Sequence, residues 1–415
     1  MIMFFVYQIL LTLLIIISPI IILVRILKNK EDKIRFKEKY GFFSIKNKSK
    51  NLIWVHGASV GELMSVLPLI DQYEKNKKID KILVTTSTLS SSRILEKLKY
   101  KKVIHQFFPI DHVFFSKKFI NYWKPNLAIF LESEIWPSMF KEIKKNSIPL
   151  ILLNARITPK SFSRWIKMKY FSQSIFNLID IAYPQNKETK IFLKKLNVKI
   201  INFIGNLKFI ERNETQYPKN EKKLFSKLKK FKTFIAASTH DSEELLAAKT
   251  HILLKRKYKN IITIIIPRHI HRVDEIINEM TKLQLNVTTH SSKKGNLKNT
   301  DIYIVDTFGE SKKFYKIATT VFVGGSIADK GGQNPLEPAR FGTKILHGPN
   351  IGNFREVYRY LNSLNISSKV TTPVEFSNSI KFKKDMKKVR KIKILGNTIL
   401  KKTIKELDKF INNEI

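Results

Sequence analysis

Val321–Pro338 reads VFVGGSIADKGGQNPLEP. The apolar run Thr320–Val323 is rich in β-type residues and predicts a short buried strand. Gly324, Gly325, Gly331 and Gly332 follow as a loop. Asn334, Pro335 and Glu337 then have the spacing of an N-cap, a first helical residue and the third position of a capping box. Strand, glycine loop and helix start together are the unit from which doubly wound α/β sheets are built. Two readings of the loop stand side by side. It is an ordinary βα turn, or it is a loop whose backbone a ligand approaches closely, leading into a helix start whose free N–H groups favour an anion.

Outward from that stretch, β-type runs alternate with helical ones. Leu52–Val55, Ile82–Thr85, Leu127–Leu131, Pro149–Leu153, Ile179–Ala182 and Ile200–Ile204 form one series of strand candidates. Gly61–Tyr73 follows the first as a helix, with Leu63, Val66, Leu67 and Ile70 on one face. Phe234–Ala237, Ile261–Ile266, Ile302–Val305, Val321–Val323 and Lys344–Leu346 form a second series. Between them, ERNETQYPKNEKK at 211–223 is polar and carries Pro218, which marks a linker. The expected organisation is an N-terminal helix at 1–27, a Rossmann-like domain at 28–210, the linker, and a second Rossmann-like domain at 224–415 ending in a basic helical tail.

At 415 residues and 43% hydrophobic, the chain can form two full cores. Its 76 Lys+Arg against 34 Asp+Glu give a formal charge of +42. That excess points to an acidic partner: nucleic acid, anionic lipid or a phosphorylated substrate. The basic residues are scattered rather than gathered, and polar strand ends in both halves have no use in a nucleic-acid binder, so a nucleic-acid partner is not expected. The absence of cysteine excludes disulfides and thiolate metal sites. Phe4–Val24 is long and apolar enough to cross a bilayer as a helix. Arg25, Lys28, Lys30, Lys33 and Arg35 follow it, so the positive-inside rule puts the body of the chain on the cytoplasmic side, against anionic lipid headgroups. A helix lying in the membrane surface is the alternative.

The candidate chemistry sits at strand ends. In HGASVGE at 56–62, Ser59 and Glu62 have capping-box spacing, so Glu62 is either a helix cap or a base able to take a proton from a hydroxyl. The neighbouring Gly57 and Gly61 are not needed for a cap alone. Glu132 and Glu134 end another apolar strand, and alternation puts both on one side. Asn154-Ala155-Arg156 and Gly205-Asn206-Leu207-Lys208 end two more. In the second half, Ser238–Asp241 caps a helix and Arg268 suits a phosphate or carboxylate. Thr307–Glu310 reads as a further capped strand end. His269 and His271 have no carboxylate placed to complete a metal site, and no Asp-x-Asp pair is present to hold a divalent ion.

WVHGASVGE, FLESEIWPS, LLNARIT, GNLKF, AASTHDSEE, PRHIHR, DTFGE and VGGSI…GGQNPLEPA occur in this order. Together they resemble the 3-deoxy-D-manno-octulosonic acid (Kdo) transferases of lipopolysaccharide biosynthesis, from the N-terminal helix to about Asn353. The resemblance implies a GT-B fold, in which two Rossmann-like domains face a cleft behind an N-terminal membrane anchor. It implies transfer of Kdo from CMP-Kdo to a hydroxyl of a lipid A precursor at the cell inner membrane, with inversion and with neither metal nor cofactor. It implies that Glu62 is the general base and that Glu132 and Lys208 stabilise the transition state. Arg268, His269, Gly309, Glu310, Ser311, Asn334, Pro335, Leu336 and Glu337 fall at positions of CMP contact. Ser133, Ile135 and Gln333 depart from the residues usual in the family.

Overall fold

The computed structural model describes every residue except 1, 44, 46–48, 213–221, 293–296 and 413–415. The chain divides into one unit of 1–213 plus 396–415 and a second of 214–395. Most of the expected linker, 213–221, lies outside the described residues.

The first unit carries seven strands: β1 (Leu52–His56), β2 (Lys81–Thr86), β3 (Val103–Phe107), β4 (Leu127–Leu131), β5 (Leu150–Ala155), β6 (Ile181–Pro184) and β7 (Ile200–Ile201). They form one parallel sheet in the order β3-β2-β1-β4-β5-β6-β7. Every residue of β1, β4 and β5 is buried, as parallel strands covered by helices on both faces require. Trp54, Phe119, Trp123, Phe130 and Phe140 fill the core on one face. The strand order reverses between β1 and β4, where doubly wound sheets open a crevice at their carboxyl ends.

The second unit repeats the plan with β8 (Lys232–Thr239), β9 (Ile261–Pro267), β10 (Val287–Thr289), β11 (Ile302–Ile304), β12 (Thr320–Val323), β13 (Lys344–His347) and β14 (Ser367–Lys369). Their order is β10-β11-β9-β8-β12-β13-β14, all parallel. The reversal falls between β8 and β12, so the glycine loop after β12 lies at that unit's switch point.

Two expectations need correcting. The sequence reading passed over β3, β10 and β14, and all three are strands at a sheet edge, buried less than the centre. The tail does not complete the second domain. It forms the last part of one helix, Met386–Ile411, whose residues from Gly396 onward belong to the first unit. There Leu407 is fully buried, and Glu406 accepts hydrogen bonds from Tyr183 Oη at 3.1 Å and Asn202 Nδ2 at 3.4 Å. Ile392, Ile399, Thr403 and Leu407 are buried at intervals of 7, 4 and 4 residues, a helical face that the surrounding lysines hide from a composition-based reading.

Candidate active site

In the first unit the helix Val60–Tyr73 begins directly after β1. Ser59 Oγ accepts from Glu62 N at 3.3 Å and Glu62 Oε2 accepts from Ser59 N at 3.1 Å, which completes the capping box. The cap therefore fixes the Glu62 side chain at the end of β1. Gly57 is required by the same packing, because a Cβ there would lie 2.9 Å from Leu131 Cδ1 and 3.2 Å from Glu62 Cβ. Gly61 has no comparable contact. Burial pushes the half-buried Glu62 carboxyl up to about 7; Glu134 and then Glu132 add to the rise, against the amides of Ser59 and Ala58.

Glu132 and Glu134 both act on Glu62 but take different partners. The strand stops at Leu131, and Glu132 takes φ +50°, so the period-2 alternation ends before it. Glu132 is 5% exposed; its Oε1 lies 2.7 Å from Lys208 Nζ and 3.5 Å from Asn154 Nδ2. Asn154 is also left-handed, φ +54°, at a register shift in β5, and its Oδ1 accepts from Leu207 N at 3.0 Å. Asn206 Oδ1 accepts from Lys208 N at 2.9 Å. Two strained strand ends and an asparagine-clamped turn thus hold one ion pair in place.

Glu134 turns instead to His56 and Trp136, with Oε2 3.1 Å from His56 Nε2 and 2.9 Å from Trp136 Nε1. Thr85 Oγ1 accepts from Trp54 Nε1 at 2.8 Å and lies 2.9 Å from His56 Nδ1. His56 donates from Nε2 to the Glu134 carboxylate, and its Nδ1 also faces the Thr85 carbonyl oxygen at 3.2 Å. Glu62, Glu132, Glu134 and Lys208, from three separate motifs, are brought together at the β1/β4 reversal. His56 is the participant that the sequence reading left without a role.

The ion pair is deeply set, so removing one partner strands a buried charge. Lys208→Met is expected to cost about 3–5 kcal/mol. Urea unfolding checks this, and the double variant Glu132→Gln/Lys208→Met should recover much of the loss.

In the second unit four amides at the start of the glycine loop, those of Gly325 to Ala328, are taken by a side chain. The Glu243 carboxylate, 0% exposed, accepts from Gly325 N at 2.7 Å, Ser326 N at 3.0 Å, Ile327 N at 2.8 Å and Ala328 N at 3.3 Å. It also accepts from His240 N at 2.9 Å. The anion that such a loop favours is supplied by the protein itself. The helix of this stretch is one turn, Leu336–Ala339; Asn334 Oδ1 accepts from Leu336 N at 3.0 Å, but Glu337 closes no capping box. Ser238–Asp241 makes no side-chain cap either; the residue preceding the helix Glu243–Lys257 is Ser242, at φ +70°. Glu310 precedes the short helix Ser311–Tyr315 without capping it and pairs with Lys313 at 2.6 Å.

Arg268 and His269 are exposed just past β9. The His240 and His269 rings lie 5.4 Å apart, edge to face. Burial lowers the pKa of both rings, and the positive charge of Arg268 and Lys330 lowers it further, with Glu243 pulling His240 the other way. His240, Arg268, His269 and Lys330 therefore share one field of positive potential. Of these, Lys330 was not singled out by sequence and His240 only as part of a helix cap; both lie in the loops that the Glu243 carboxylate ties together. A second group joins Ser311, Tyr315 and Glu337: burial and Glu337 raise the Tyr315 phenol, which Ser311 hydrogen-bonds. Among the described residues, the acids with metal-like spacing are Asp241, Glu275 and Glu279. Arg272 already bridges them, at 3.2 Å from Asp241 and 3.1 Å from Glu275.

The sequence is 34% identical over 386 residues to a 3-deoxy-D-manno-octulosonic acid transferase of Rickettsia bellii, covering 92% of this chain and 91% of that one. The chain belongs to the 3-deoxy-D-manno-octulosonic acid transferase family. The family's model, 3-Deoxy-D-manno-octulosonic-acid transferase (kdotransferase), matches residues 34–211. A family member of Haemophilus influenzae is 30% identical over 333 residues, covering 79% of this chain and 78% of its own length. Among solved structures, Anabaena Alr3699/HepE in complex with UDP and glucose superposes with a TM-score of 0.54 at 11% identity, covering 86% of this chain and all of that one. That likeness concerns the fold, a GT-B-like pair of parallel sheets. Kdo transferase membership makes the chain a glycosyltransferase.

Proposed function

We propose that this chain transfers Kdo from CMP-Kdo to a hydroxyl of a lipid A precursor, lipid IVA, at the cell inner membrane with its body on the cytoplasmic side. The observation that carries the reading is Glu62: a carboxylate fixed by its own helix cap, with its proton affinity raised close to neutrality. A base so poised takes the acceptor's hydroxyl proton as that oxygen bonds to the anomeric carbon. The bond from that carbon to CMP breaks on the opposite face, which inverts the configuration, and CMP leaves with the electron pair. Lys208, held by Glu132, offsets negative charge near the reacting carbon. His240, Arg268, His269 and Lys330 meet the single phosphate of the nucleotide, so its charge needs no metal ion. Gly309, Glu310, Ser311 and Asn334–Glu337 complete the CMP site, with Glu337 accepting from the ribose hydroxyls.

The test is product mass. Purified chain, lipid IVA and CMP-Kdo in EDTA should yield lipid IVA heavier by one or more Kdo residues. No gain with CMP-Kdo, together with gain from a UDP- or GDP-sugar, overturns the donor assignment. Gain that appears only when a divalent ion is restored overturns the metal-free reading.

A further inference from the structure

The N-terminal helix, Ile2–Leu27, is by composition long and apolar enough to cross a membrane. Its docking says otherwise. The residues shielded from solvent are Phe4, Tyr7, Gln8, Leu11, Ile15, Ser18 and Ile22, spaced by threes and fours down one side. That side holds polar side chains, and the first unit uses them. Tyr7 Oη donates to Asp111 Oδ2 at 2.7 Å. Gln8 Nε2 donates to Ser138 Oγ at 2.7 Å, and its Oε1 accepts from Val113 N at 3.1 Å. Ser18 Oγ lies 2.5 Å from Tyr40 Oη. Lys141 Nζ sits 3.3 Å from the centre of the Phe4 ring, and beyond the helix middle Arg25 pairs with Glu31 at 3.0 Å.

The contacts with the folded unit run from Phe4 to Ser18 and the buried side continues to Ile22, about 27 Å at 1.5 Å per residue. That is most of the hydrocarbon thickness of a bilayer, about 30 Å. A helix standing across the bilayer would carry the attached flank of the folded unit, including Asp111, His112 and Lys141, into hydrocarbon, which charged groups resist. Laid flat, the helix keeps every contact. Its other side is then continuously apolar and exposed, from Phe5 through Ile9, Leu13, Ile16 and Ile20 to Leu23. The elements it docks on extend the surface. Phe114, 63% exposed, neighbours the Phe115 ring that packs on Tyr40; Tyr170, 89% exposed, neighbours the Phe171 ring that packs on Tyr7. Lys28, Lys30, Lys33, Lys167 and Lys169 supply positive charge beside it.

We infer that the N-terminal helix lies in the membrane plane, docked on the first unit by its polar seam, with its apolar side sunk into one leaflet of an anionic bilayer, and that it does not cross. The chain has no cysteine, so single ones can be introduced at exposed positions without background. Met3→Cys, Leu10→Cys, Ile17→Cys and Val24→Cys, each spin-labelled in the full chain on phosphatidylethanolamine/phosphatidylglycerol vesicles, report depth by paramagnetic relaxation with oxygen and a nickel chelate. The expected result is four similar, shallow depths, about 5–10 Å below the headgroups. Depth that peaks at Leu10 and Ile17 and falls to water at Met3 on the far side means a span and overturns the inference. Four labels in water overturn it as well. A membrane-impermeant maleimide gives the second reading: cysteines at Met3 and Lys28 should react from the same side of sealed vesicles, and reaction from opposite sides contradicts the in-plane helix.

Discussion

Glu62→Gln should lower the rate of Kdo transfer by about 10²–10⁴-fold while leaving CMP binding intact. The amide keeps the carbonyl that accepts from Ser59 N, so the capping box and the fold survive. What it loses is the ability to take a proton. The pH profile adds a second check. Burial and the neighbouring Glu134 raise the Glu62 carboxyl to about 7, and the base works only when ionised. The wild-type rate should therefore climb through an apparent pKa near 7 and level off above it, and the Gln variant should lack that limb. Glu134→Gln removes the second-largest cause of the rise and should move the limb to lower pH. Stability runs the other way. A carboxyl whose folded pKa lies above its unfolded value binds its proton more tightly in the native state. Its contribution is thus full below about 4.5 and lost as pH rises through 7. Above pH 8 the Gln variant should be the more stable protein, by about 1–3 kcal/mol. Retained turnover in Glu62→Gln, or a profile flat from pH 5.5 to 8, removes Glu62 as the base.

That site was legible in the sequence in part because Glu62 and Glu132 stand past the ends of the central strands β1 and β4. Runs such as Leu127–Leu131 are apolar throughout, since parallel strands inside a doubly wound sheet are covered on both faces. Where such a run stops and a polar residue begins, the carboxyl edge of the sheet is marked, and Glu62 and Glu132 follow marks of this kind; Lys208 follows the short edge strand β7 and is marked only by its Gly-Asn turn. The edge strands carry no such mark: Ser367–Lys369 reads as loop because only one of its three residues is buried. Partner choice was hidden too. Alternation put Glu132 and Glu134 on one side, and both do act on Glu62, but it could not show that Glu132, with its left-handed backbone, pairs with Lys208 and Glu134 with His56. The tail was misplaced because a lysine-rich helix shows its buried side only by the spacing of Ile392, Ile399, Thr403 and Leu407. Glu243 was hidden for a further reason. In sequence it is one of two acids at a helix start, where favourable interaction with the helix dipole is explanation enough.

Glu243 carries the second large effect. Its carboxylate is the common acceptor for five backbone N–H groups, one from the loop after β8 and four from the glycine loop after β12. No side chain other than a carboxylate of this length presents two acceptor oxygens there without a donor. Glutamine would aim an NH₂ group at amides that need acceptors, and alanine would leave them buried and unpaired. Gly324 shows how closely the loop is wrapped, because a Cβ on it would lie 2.7 Å from Glu243 Oε2 and 2.4 Å from the Ser238 carbonyl oxygen. Both Glu243→Gln and Glu243→Ala should therefore destabilise the second unit by about 3–5 kcal/mol, read from its denaturant midpoint. The same carboxylate holds the backbone that positions His240 on one side and Lys330 on the other. CMP affinity should fall at least about tenfold even where the unit remains folded, because the two loops lose their shared tie. Hydrogen exchange localises the cause: the amides of Gly325 to Ala328 should exchange much faster in the variants, while those of β9 should change only with global stability. If Glu243→Ala keeps both its midpoint and its CMP affinity, the loop is held by something else and the carboxylate is incidental to the donor site.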